Sequence, residues 1–204
     1  MKYLIAIVVA TYAMVVFSVE YHDFCTNAIH AISANIAGTT SFTNQVISYI
    51  DGETGTNRAS AKLVLSVALF DIYESSSDVV ALDGCIECCT NVMGGADCPD
   101  VSWQKSAASA VLSTALATKR QYEDALSVCT NALVRYVAMP VSDDDVALWG
   151  ALCSHQFLPG LSIHDTLNFY SAMSLVFHGD IQAMAQYTNS LPTVALQKLR
   201  EAME

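Results

Sequence analysis

The sequence predicts an all-α fold: a helical bundle or short helical array built from about three degenerate ~64-residue repeats and stabilised by disulfides. Three observations predict it. Apolar positions recur at helical spacing through the long segments, while apolar/polar alternation of strand type is almost absent. A few short frames return at a constant interval. Seven cysteines occur in a chain whose opening residues read as an export signal.

The opening stretch MKYLIAIVVATYAMVVFS carries one Lys, then an apolar run from Leu4 to Phe17, then Val16-Phe17-Ser18 as a small-residue cleavage frame. Residues 1–18 are therefore expected to be a secretory signal peptide. The run is shorter than the ~20 residues a bilayer-spanning helix needs. Residues 19–204 are expected to form a single all-helical domain, soluble and extracellular, with no stable membrane insertion after cleavage.

Within that domain, Leu63, Val67, Phe70 and Tyr73 form one helical stripe. Ser106 to Arg120 forms the next, with Ala107, Val111 and Ala115 beside Ala108, Leu112 and Leu116, and its alanine-rich face invites close approach by a neighbour. Leu126, Cys129, Leu133 and Tyr136 follow as a counterpart of the first stripe. Val146, Trp149, Cys153 and Phe157 make another, opened by Ser142 and the Asp143-Asp144-Asp145 run. There a side-chain oxygen can cap free amides, and negative charge suits a helix N-terminus. A charged helix over Val194 to Glu204 ends the chain. Turns are marked at Gly52 to Gly55, Gly94 to Pro99, Pro140 to Asp143, Pro159-Gly160 and Pro192.

The repeat is read from markers in one register. Cys25, Cys89 and Cys153 stand 64 residues apart, and SFTNQV at 41, SAASAV at 106 and SAMSLV at 171 share an S-x4-V frame at intervals of 65. Ala68-Leu69, Ala132-Leu133 and Ala195-Leu196 return at intervals of 64 and 63. The expected units are 25–88, 89–152 and a shorter, capping 153–204.

The formal charge is −11, and losing residues 1–18 removes Lys2 and no acid. Such a surface repels phosphate backbones, so nucleic acid is not an expected partner. Only 14% of residues are charged and 53% are hydrophobic, enough for a full core.

Cys25, Cys85, Cys88, Cys89, Cys98, Cys129 and Cys153 are all disulfide candidates, and at least two intramolecular bridges are expected. An odd count leaves one thiol free, or open to bridging into a homo-oligomer. Cys85, Cys88, Cys89 and Cys98 have thiolates at i and i+3 that could face a zinc ion, but no second CxxC or HxxxH accompanies them. No cofactor or metal is expected. His155, His164-Asp165 and His178 are the acid-base candidates and Ser154 or Ser162 the nucleophile candidates, none within a frame such as G-x-S-x-G. A His beside an Asp near a helix start reads as a capping or surface pair, and no enzymatic activity is expected.

Two stretches resemble known families. Leu112 to Leu116, followed by Glu123-Asp124-Ala125-Leu126, and Ala81-Leu82-x2-Cys85 resemble helix motifs of plant invertase and pectin methylesterase inhibitors. Tyr122 stands where that family has its helix cysteine. Arg58 to Leu63 is similar to the helical terminal domains of spider silk proteins. Neither resemblance carries over a site residue. The expected function is binding without catalysis, of an extracellular protein in an inhibitor-like way or of a small apolar ligand as a carrier. The alternative is a self-associating silk, matrix or capsule component.

Overall fold

A computed structural model describes residues 21–135, 139–156 and 161–203. The expected signal peptide lies outside the described residues, as do Tyr136, Phe157 and Pro159-Gly160 of the expected stripes and turns. The described chain is entirely helical, without strands: α1 (21–33), α2 (Thr40–Gly52), α3 (Gly55–Ser76), α4 (Val79–Gly94), α5 (Trp103–Thr118), α6 (Tyr122–Val134), α7 (Asp143–Gln156), α8 (Ile163–His178), α9 (Ile181–Thr188) and α10 (Thr193–Met203). None of the described helices is long and apolar enough to cross a membrane.

Local chemistry sets the ends. Thr39, Asp78, Ser102, Ser162 and Asp180 each accept a backbone N–H from the first turn of the helix they precede. These oxygens satisfy donors that the helix cannot. Ser142 does the same for Asp145 at 3.1 Å, ahead of the acidic first turn of α7. Gly179 closes α8 in the left-handed region (φ 87°), its N–H on Val176 O and that of Asp180 on Leu175 O. Glycine reaches that backbone conformation without a side-chain clash.

Three helices carry the interior. α5 packs on α3, α4, α6 and α8; α3 also packs on α2, α4 and α7, and α8 on α6, α9 and α10. The single stripe expected on α3 is too narrow. From Ala59 to Ala68 nearly every residue of α3 is buried, including Ala59, Ser60, Ala61, Val64 and Ser66. α5 is similar, with Ser106, Ala107, Ala108, Ser109 and Ala110 all buried. Small side chains let neighbours close on several faces at once, so a buried helix need not show one apolar side.

The S-x4-V frames fall on α2, α5 and α8, and Cys25, Cys89 and Cys153 on α1, α4 and α7. Ala68-Leu69 and Ala132-Leu133 lie on α3 and α6, but Ala195-Leu196 lies on α10. The environments of matched residues differ: Ser106 and Ser171 are buried, whereas Ser41 is exposed.

The expected bridges are not formed. All seven cysteines are free thiols, six of them buried and Cys88 half-buried. Cys25, Cys89, Cys129 and Cys153 belong to four different helices, where they act as small apolar fillers of the core. An oxidising compartment favours bridges in general, but each one needs two Cα atoms within about 7 Å and converging Cβ vectors. Spacing along the sequence does not supply that.

Candidate functional site

The surface around α1 carries four grooves that run into one another. The first lies between α1 and α2, with Asp23, Phe24, Gln45 and Tyr49 on its walls. It shares Asn27, Phe42 and Gln45 with a second groove that reaches His30 and Thr39. Thr39 is also the edge of a third groove, bounded by Asn35, Gly38, Asp71, Glu74 and His155. Asn35 and His155 continue into the fourth, between α1 and α7, with Ile29, Ser33, Gly150 and Ser154. The grooves measure ≈ 350, 440, 480 and 420 Å³ in that order. Adjacent grooves share lining residues, and together they make up a furrow that follows α1 from Asp23 and turns round its C-terminal end toward α7.

The turn from α1 to α2 shapes its centre. Asn35 takes a left-handed conformation (φ 56°), which a short polar side chain tolerates, while the Ile36 N–H returns to Ala31 O. Gly38 then lies directly on α3: a Cβ there would stand 3.1 Å from Asp71 Cβ and 3.3 Å from Ile72 N. Glycine thus lets the turn sit against the helix that carries the acidic residues.

Two acids and an imidazole meet beneath that turn. His155 Nε2 lies 2.9 Å from both carboxylate oxygens of Asp71, with the two side chains 19% and 14% exposed. Glu74 sits one helical turn beyond Asp71. Partial burial, and then the charge of Asp71, push its carboxyl above the usual range, while His155 acts in the opposite sense. Neither acid was a candidate from the sequence. His155 and Asp71 are 84 residues apart, and the only local sign was a pair of acids at i, i+3 closing the apolar α3 run.

The far ends of the furrow are tied down separately. Tyr21 donates to Asp145 at 2.5 Å, and His22 Nδ1 lies 2.7 Å from Asp144. The hydrogen bond to Asp144 holds the imidazolium of His22 to higher pH than usual. Both contacts fasten α1 to the start of α7. At the α2 end, the Phe24 and Tyr49 rings stack with centroids 4.1 Å apart. Asp23, Asp71 and Glu74 line the furrow; among the described residues no Lys or Arg does.

The other candidates from the sequence fall elsewhere. Ser162 caps α8, accepting from Asp165 N at 3.0 Å and donating to Asp165 Oδ2 at 2.8 Å. His164 Nδ1 lies 3.1 Å from Asn168 Nδ2 on the same helix, so the His164-Asp165 pair is part of a helix start. His178 lies 3.9 Å from Glu123 at the surface. Ser154 lines the fourth groove beside His155.

The thiols are shielded. Burial pushes Cys25 and Cys88 up to about 12, and Cys129 likewise, facing Ser113 and Ser171 between α5, α6 and α8. Cys85 is raised by its contact with Cys89 one turn along and by burial. A thiol held protonated is a poor nucleophile and a poor metal ligand. Among the described residues no group of His, Cys, Asp and Glu is arranged to hold a metal ion.

No family model, curated protein or solved structure matches the chain.

Proposed function

We propose that the protein is a secreted, non-enzymatic binding module, and that the furrow around α1 takes an extended, positively charged segment of a partner protein. The observation that carries this reading is that the four grooves follow one another through shared lining residues, with acids on the walls and, among the described residues, no Lys or Arg. An extended chain can lie along such a path, exchanging its hydration for Asn27, Gln45, Asn35 and the acids. Opposite charge favours the encounter and selects against acidic partners.

A carrier role for an apolar ligand has less support, because these spaces are open grooves with mixed polar and apolar walls rather than an enclosed apolar chamber. In the self-associating alternative, a covalent link would fall to Cys88, the one cysteine that is not fully buried. The scaffold in this reading is a set of about three ~64-residue helical repeats held by packing rather than by bridges. Its support is the recurrence of cysteine and S-x4-V markers on every third helix.

Fluorescence anisotropy with labelled lysine- and arginine-rich peptides, against acidic peptides of equal length, tests the proposal. The expected result is saturable binding of the basic peptides that weakens with salt and is lost in Asp23→Lys and Glu74→Lys. Equal affinity for basic and acidic peptides would overturn it.

A further inference from the structure

On a separate face, between α4, α5 and α6, the structure holds an ammonium whose counter-ion stands in the solvent. The Lys105 side chain is only 14% exposed, yet the carboxylate it meets, Asp100 at 3.0 Å, is 102% exposed on the loop before α5. A nearly buried cation normally has a partner that shares its burial. Lys105 lines a cavity of ≈ 50 Å³ together with Asp100 itself, the exposed Arg135 and Asn131, and Met93. One water occupies about 10–15 Å³ by the same measure, so there is room for a group of several heavy atoms.

We propose that this cavity binds a small oxyanion, a carboxylate or phosphate group, on Lys105 and Arg135, and that the Asp100 carboxylate is a tethered competitor for the same ammonium. Asp100 engages the two cations unequally: Lys105 holds it by a hydrogen bond and by charge, Arg135 by charge alone. An incoming oxyanion small enough to enter the cavity gains what Asp100 leaves unused, the planar fork of the guanidinium, which matches two oxygens at once. The exchange is cheap, because Asp100 is fully exposed and an ion pair with one partner in water holds weakly.

The remaining walls refine the ligand. Ser106 donates its hydroxyl to Ser102 O at 3.0 Å and Ser109 to Lys105 O at 2.9 Å. With their hydrogens committed to backbone carbonyls, both hydroxyls can only accept from a guest O–H, such as a protonated phosphate oxygen or a hydroxyl beside a carboxylate. With only nine Lys and Arg in the whole chain, two converging on one cavity is a local reversal of the protein's charge.

Titration of the 15N-labelled protein with inorganic phosphate, and separately with acetate at matched ionic strength, tests this through the amide shifts around Lys105. We expect saturable binding of at least one anion, weakened at least about tenfold in both Lys105→Met and Arg135→Gln. In Asp100→Asn it should tighten about two- to fivefold, the value of an exposed ion pair. That gain cannot come from a damaged fold, so it decides the matter if the other variants melt lower. Absence of saturable binding in both the natural protein and Asp100→Asn would overturn the proposal. So would affinity that Asp100→Asn leaves unchanged.

Discussion

Replacing Gly38 by alanine presses the α1–α2 turn off the helix that holds Asp71. The new Cβ would meet Asp71 Cβ at 3.1 Å, Ile72 N at 3.3 Å and Asp71 C at 3.4 Å, against the ~3.5–4.0 Å of comfortable contact. Two of those three atoms are helix backbone and cannot step aside. Overpacking of this kind costs about 1–3 kcal/mol. Alanine recovers about 0.4–1 kcal/mol by stiffening the unfolded chain. Taking the middle of each range, the net loss is about 1.3 kcal/mol, or roughly 3–5 °C in Tm for a chain of this size. Gly150 supplies the control with the opposite sign. It lies inside α7 with nothing within 4 Å of an added Cβ, so Gly150→Ala should gain about 0.5–1 kcal/mol from helix propensity. Thermal unfolding followed by circular dichroism measures both. A Gly38→Ala protein that melts at or above the natural one would refute the close approach of the turn to α3, and with it the described shape of the furrow's centre.

Three further outcomes follow from buried and charged groups. Glu74 has a raised pKa in the folded state, so its contribution to stability is complete below its unfolded value and is lost as pH rises through the folded value. Glu74→Gln should therefore raise Tm at pH 7 and lose that advantage near pH 4; an equal gain at both would refute the role of Asp71 repulsion and burial. The hydroxyls of Ser113 and Ser171 are buried and, among the described residues, have no hydrogen-bond partner beyond the facing Cys129 thiol. Ser171→Ala should be neutral or stabilising, and a loss above about 1 kcal/mol in urea unfolding would show that the hydroxyl is bonded after all. Without reductant, all seven cysteines should react with a thiol reagent in denaturant, and Cys88 should react first in the native protein. A count of five or fewer would mean that bridges form.

Helix content was written locally, because each signal acts over a few residues. The stripe expected from Ser106 to Arg120 is α5, Trp103–Thr118, and the Ser142 cap and the turn at Gly52 to Gly55 stand where side-chain oxygens and glycines placed them. The bland reading of His164-Asp165 as a helix start was legible for the same reason. Burial of α3 and α5 on several faces was not, since alanine and serine are indifferent to position until neighbours arrive.

The sequence by itself determined the helical class, the cap at Ser142, several of the turns, and the sign of the overall charge. Only the tertiary structure decided which side chains meet. It set His155 on Asp71 across 84 residues, left seven thiols unbridged, and buried Ser171 while exposing Ser41 from the same frame. The physical reason is range. Capping and periodicity are settled within one or two turns of backbone, whereas a pair between distant helices depends on how whole faces pack, and that is a property of the assembled core.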